Sequence, residues 1–173
     1  METCDLLLDH ADRVRELVET TVDGLDPDAA HLRPVLAGAP AARRGNSIVW
    51  LLWHTARVQD DHVAALAGVD QAWDAWAERF DLPLDHADIG YGHDDADVDA
   101  VRVADLRLLV DYHRAVHELT RDYLARVDAH ELDRVVDEAW DPPVTAGVRL
   151  VSVVGDCLQH LGQAAYVRGL LAP

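Results

Sequence analysis

Apolar residues recur at three- and four-residue spacing through four long stretches of the chain, the pattern of helices with one buried face. The first runs from Cys4 to Val22, with Leu7, Val14, Leu17 and Val18 at helical spacing, and Gly24 ends it. After a loop containing Pro, Gly and Arg, Asn46 is placed to cap a second helix that continues to Ala67, ahead of Gly68. A third helix is expected over Val103 to Val127 and a fourth over Val148 to Leu171, the last reached through the segment DPPVTAG. Between the second and third lie a short helix around Trp73 to Phe80, then Pro83 and an acidic stretch, DIGYGHDDADVDA. Strand-like alternation, repeats and low-complexity tracts are not expected anywhere. The pattern predicts an all-α fold: a four-helix bundle, residues 1–173 as one domain, with a long crossover between helices 2 and 3 that returns the chain to its starting end.

Charge narrows the partners. The chain has 32 acidic and 15 basic residues, every basic one an Arg, and a formal net charge of −17. Such a surface repels nucleic acid and anionic membranes, both polyanions. There is no basic segment leading into an apolar run near the start and no apolar stretch of spanning length, so a soluble, cytoplasmic protein is expected. Cys4 and Cys157 are two cysteines in a large domain, too few for a disulfide framework, and read as free thiols.

Chemistry concentrates on the second and fourth helices. Asp156 and His160 stand four apart, so they project from one helix face about one turn from each other. With about 100° per residue, His54 shares a face with Leu51, Val58, Asp61 and Ala65, while Arg57 and Asp60 fall to the side or behind. Two imidazoles and a carboxylate make a three-ligand set with coordination positions left open, the way catalytic metal sites are built. The same spacing also suits an Asp156–His160 ion pair beside a core histidine at 54. His113 and His117, likewise four apart, fall mid-stripe on the third helix and read as hydrogen-bonded residues lining the same cavity. No Glu-x-x-His or Asp-x-x-His lies inside the long helices, which disfavours a di-iron bundle. The five tryptophans (Trp50, Trp53, Trp73, Trp76 and Trp140) read as packing residues, with Trp140 near a cavity mouth.

The segments NSIVWLLWH and GDCLQHLGQAAYVRG resemble the DinB-like superfamily and, within it, the mycothiol-dependent branch of thiol transferases and maleylpyruvate isomerase. The resemblance covers nearly the whole chain in helix order. It implies a four-helix bundle binding a divalent metal, often zinc or nickel, through His54, Asp156 and His160. Many members have His where this chain has Asp156, and the mycothiol-using members often have a carboxylate there. The function so implied is activation of a low-molecular-weight thiol, mycothiol, for S-transfer to an electrophile or for a thiol-assisted isomerisation.

Around such an ion, which deprotonates a coordinated thiol, other polar residues become candidates. Asp61, two turns beyond His54, and His113 or His117 are candidates for proton handling. Gln163, Arg149 and Arg168 are candidates for holding thiol or substrate, although both arginines have carboxylates enough to pair with. Cys157 points about 100° away from Asp156 and is read as neither ligand nor nucleophile. Two other classes stay open: a non-catalytic, stress-associated metal-binding bundle working as a dimer, and a non-haem Fe(II) oxygenase, which the same ligand set suits. A homodimer is expected from the exposed apolar edges such bundles carry.

Overall fold

The computed structural model describes residues 3–35 and 44–171. In chain order its elements are α1 (Thr3–Val22), the short α2 (Pro27–Ala30), α3 (Ile48–Ala67), a 3-10 turn (Ala72–Ala75), α4 (Ala77–Phe80), α5 (Asp95–Ala100), α6 (Arg107–Leu124) and α7 (Ala129–Asp133). Two short strands, β1 (Val135–Asp137) and β2 (Val144–Thr145), then lead into α8 (Ala146–Leu171).

The four long helices make an all-α bundle in which α1 and α3 each pack against α6 and α8. Side-chain partners give the directions. Glu19 and Asp12 of α1 meet Arg114 and Arg121 of α6, so those helices are antiparallel. Arg168, near the end of α8, donates to main-chain carbonyls of Thr20, Thr21 and Asp23, so α1 and α8 end together. The starts of α3 and α6 share one apolar cluster (Trp50 and Trp53 with Leu106 and Leu109) and their ends another (Val63 and Leu66 with Tyr123 and Leu124), which makes α3 and α6 parallel. Parallel neighbours cannot be joined by a tight turn; the connection between them must travel back along the bundle.

Two apolar clusters fill the interior. The larger gathers Trp50, Trp53, Trp73, Phe80 and Tyr112 under the crossover. The smaller sits toward the other end, around Val63, Leu66, Tyr123 and Leu150. Between them runs a buried polar belt, in which Gln59 Nε2 donates to Thr120 Oγ1 at 2.8 Å and Gln59 Oε1 lies 3.3 Å from His113 Nε2.

Several sequence expectations are adjusted. Ser47, not Asn46, caps α3, its hydroxyl accepting the Trp50 N–H at 3.1 Å, and Gly68 closes the helix in the left-handed conformation at φ 68°. The third helix starts at Arg107 rather than Val103, because the Val103 N–H goes to His31 Nε2 and the Asp105 carboxylate takes the Arg107 N–H. The fourth starts at Ala146, two residues early. Strand structure exists after all: β1 and β2 pair antiparallel as a minimal ribbon, and the DPPVTAG segment supplies β2. Trp140 is 66% exposed, beside that ribbon rather than packed.

The largest departure concerns Arg57 and Asp60. Both are fully buried, because the crossover covers the flank of α3 that helical phase assigned to the side. Asp60 accepts the main-chain N–H groups of Ala72 and Trp73 at 2.9 and 2.8 Å and the Tyr112 hydroxyl at 2.8 Å. Arg57 donates to Gln71 Oε1 at 2.8 Å and to the Asp88 carbonyl at 3.2 Å. An ion pair this deep gives little net stability over an apolar pair, but removing one partner strands the other; here it fixes the crossover to α3.

Candidate metal centre

His54, Asp156 and His160 converge where α3 crosses α8, each offering a ligand atom, all within 4.8 Å of one another. Among the described residues this is the one cluster of at least three such side chains. His54 is 2% exposed, while Asp156 and His160 sit half-buried at the edge of the α8 core stripe.

The outer nitrogens decide what the inner ones can do. His54 Nδ1 is hydrogen-bonded to the Ile89 carbonyl, which can only accept, so Nδ1 carries the proton and Nε2 keeps a lone pair. His160 Nδ1 lies 3.1 Å from Gln163 Oε1, and the same logic frees its Nε2. On Asp156, Oδ1 faces His160 Nε2 at 3.6 Å, while Oδ2 is buried with no hydrogen-bond partner. A buried, unpartnered carboxylate oxygen is costly unless a cation is meant to face it, and with two Nε2 lone pairs beside it the donors fit a divalent ion.

The crossover loop builds the wall behind His54. Gly90 lies so close that a Cβ there would stand 2.6 Å from His54 Nδ1 and 3.2 Å from both Trp50 and Trp53, and its φ of 96° disfavours any side chain. Trp50 stacks on the His54 ring with centroids 4.7 Å apart, and its indole N–H donates to His93 Nδ1 at 3.0 Å. His93 Nε2 then meets Asp88 at 2.9 Å, and Asp88 accepts the Gly90 N–H at 2.7 Å. Tyr91 also packs edge-on against His54, with ring centroids 5.6 Å apart.

The electrostatics leave one imidazole neutral beside an ionised carboxylate. Burial pushes the His54 pKa below the ordinary histidine value despite the Ile89 hydrogen bond, so its ring is neutral. Burial alone would raise Asp156, but the hydrogen bond and charge of His160 bring the carboxyl below its usual value and keep it ionised. The Asp156 hydrogen bond raises His160, outweighing burial.

A cleft of about 380 Å³ opens beside Asp156, lined by Val58, His62, Tyr91, Arg149 and Gln159 among others. A second of about 340 Å³, bounded by β1 and Arg134, shares His62 and Arg149 with it. Arg149 donates a hydrogen bond to Asp137 of β1 at 3.2 Å. His62 Nδ1 stands 3.3 Å from Asp61 Oδ2, and burial followed by the Arg149 charge holds its pKa below the ordinary value.

The other sequence candidates scatter. Asp61 is half-buried and accepts from Gln71 Nε2 at 2.9 Å, beside His62. Gln163 is against His160, and Arg149 is in the cleft. Arg168 is turned onto the carbonyls closing α1. His113 belongs to the polar belt, and His117 faces α1, its Nε2 3.1 Å from Asp12. Cys157 is buried against Gln59, and burial drives its thiol far above the ordinary value, an inert cysteine. Sequence reading missed His62, Tyr91, Gly90 and the Ile89 carbonyl. The Gly-Tyr-Gly-His run inside an otherwise acidic connection was the available signal.

A family model described as Mycothiol-S-transferase matches residues 6–173. Among solved structures, the "conserved protein of locus from Enterococcus faecalis" aligns with a TM-score of 0.86 at 37% identity, covering 99% of this chain and 98% of that chain. No curated protein matches.

Proposed function

The chain belongs to the mycothiol-S-transferase family, and from that premise we propose that it is a metal-dependent enzyme transferring a low-molecular-weight thiol, mycothiol, to an electrophile or using it to assist an isomerisation. The observation that carries the reading is the convergence of His54, Asp156 and His160 with the Asp156 Oδ2 atom buried and unpartnered.

In this reading His54, His160 and Asp156 would hold a divalent ion, zinc or nickel. Such an ion supplies Lewis acidity, which lowers the pKa of a thiol and makes its sulfur nucleophilic at neutral pH. The carboxylate removes one unit of positive charge that a third histidine would leave, tempering that acidity. Ile89 and Gln163 fix both imidazoles in the tautomer that ligates. His62, neutral and in the cleft, accepts the proton the thiol gives up, with Asp61 orienting it. Arg149 holds an anionic group of thiol or electrophile. Tyr91 and Gly90 close off the far side of His54 from water. His113 and His117 have no part in this chemistry.

The same donor set also suits Fe(II), so metal identity is part of the test. Elemental mass spectrometry of untagged protein should find about one zinc or nickel per chain, lost in His160→Ala, and the loaded protein should consume mycothiol with electrophiles such as monochlorobimane. Protein that takes up no stoichiometric metal from excess ions would overturn the reading in favour of a non-catalytic bundle. Stoichiometric iron with oxygen-dependent turnover would replace it with an oxygenase.

A further inference from the structure

The exposed faces of α6 and α8 differ completely in charge. On α6 every fully exposed position is charged: Arg107, Asp111, Arg114, Glu118, Arg121 and Asp122. On α8 none is; all are apolar or aromatic residues, Gly, Ala, Ser or Gln. The charged residues α8 does carry, Arg149, Asp156 and Arg168, are half-buried and turned to partners within the chain. Along the uncharged face lie Val148 (52% exposed), Val151 (68%), Leu158 (37%), Tyr166 (69%) and Leu170 (56%). By helical phase Leu6 and Leu17 of α1, 47% and 41% exposed, extend it on one side. Gly155 and Gly162 fall within it at seven-residue spacing, with open space where a Cβ would be, so another helix can approach closely.

We infer that this face is the seat of a second copy of the same chain, α8 against α8 about a two-fold axis. Charge selects the occupant. At −17 per copy, two chains repel through most pairings of their acidic surfaces, whereas an uncharged face meets itself with no like charges in contact and no charge to desolvate. A two-fold interface is self-complementary by construction, which an apolar strip satisfies. The area is sufficient: a helix of 26 residues is about 39 Å long, and a strip about 20 Å wide along it spans on the order of 800 Å² per copy, that of a standard interface. Gln159 and Ser152 belong to this face and also line the cleft, so the partner borders the cleft mouth; that consequence alone rests on the functional reading above.

Sedimentation equilibrium on the full chain tests the inference without metal or substrate. Wild type should sediment at twice the chain mass at micromolar concentration and associate more tightly from about 20 mM to 500 mM salt, as screening of the net charge requires. Leu158→Glu and Val151→Glu should each weaken association about 100-fold or more with unchanged helical circular dichroism, since each places like charges opposite one another. Arg107→Ala on α6 should leave it unchanged. A wild type monomeric to about 100 µM, or a dimer indifferent to both glutamates, would overturn the inference. So would a monomer that co-floats with phosphatidylcholine vesicles, which would assign the face to lipid. A metal-free dimer would leave this inference standing while the functional reading fails; a metal-bound monomer would do the reverse.

Discussion

Asp156 with His160 on α8, and His113 with His117 on α6, are two pairs at the same four-residue spacing in one bundle, yet they occupy opposite environments. The first borders a cleft, has His54 within reach, and ends in a carboxylate oxygen with nothing bonded to it. The second is buried, with His113 Nε2 facing Gln59 and His117 Nε2 facing Asp12, and both Nδ1 atoms unpartnered. Burial drives the His113 pKa down to about 3. Spacing brings side chains together; what makes a cation receptor is the second set of contacts, which turn lone pairs inward on one pair and leave none converging on the other.

The widest separation between the pairs is in metal binding. His54→Ala or His160→Ala should lose it by a factor of about 1,000 or more, whereas His113→Ala should retain full metal content, as read by elemental analysis of refolded proteins. Acid titration should separate them in the other direction. The folded pKa of His113 lies below its unfolded value near 6.5, so between those values the unfolded chain holds a proton that the folded one lacks. Its contribution is therefore fully present above about pH 6.5 and falls as pH drops toward 3, by roughly 1.4 kcal/mol per unit. His113→Phe should flatten the stability profile between pH 6.5 and 4.5 in urea melts; an unchanged slope would show that this ring does not carry the effect. Gly90→Ala pushes a methyl group onto His54 Nδ1 and should cost about 1–3 kcal/mol, appearing as weaker metal binding in protein that still folds. Gln163→Leu should be mildest, about a tenfold loss of metal affinity with Gln163→Glu retaining it, because only the hydrogen bond orienting His160 is removed.

The helices, the shared face of Asp156 and His160 and the inward phase of His54 were legible because periodicity and i,i+4 geometry are properties of side-chain order, while their meeting across two helices was favoured over an ion pair by the family resemblance. The grip on His54 was not: it comes from the Ile89 main-chain carbonyl and from the absence of a side chain at Gly90, and neither leaves a residue-type signal. Arg57 and Asp60 were misjudged for a related reason. Phase on one helix cannot foresee that a connection from elsewhere will cover its outer flank and bury a charge pair there. His62 was passed over for its neighbour Asp61 because a helical wheel ranks residues by angle to the core, while the cleft lies at the core's edge.

The crossover loop and the β1–β2 ribbon carry one more implication. The three ligand-bearing residues stand on α3 and α8, which pack directly on each other, whereas Tyr91 and the neighbours of Arg149 come from connecting segments. On the functional reading proposed above, the groups that would hold the metal and part of the cleft wall come from different stretches of polypeptide. If that reading holds, changes at Tyr91 and the ribbon would reshape the cleft wall while leaving His54, Asp156 and His160 in place.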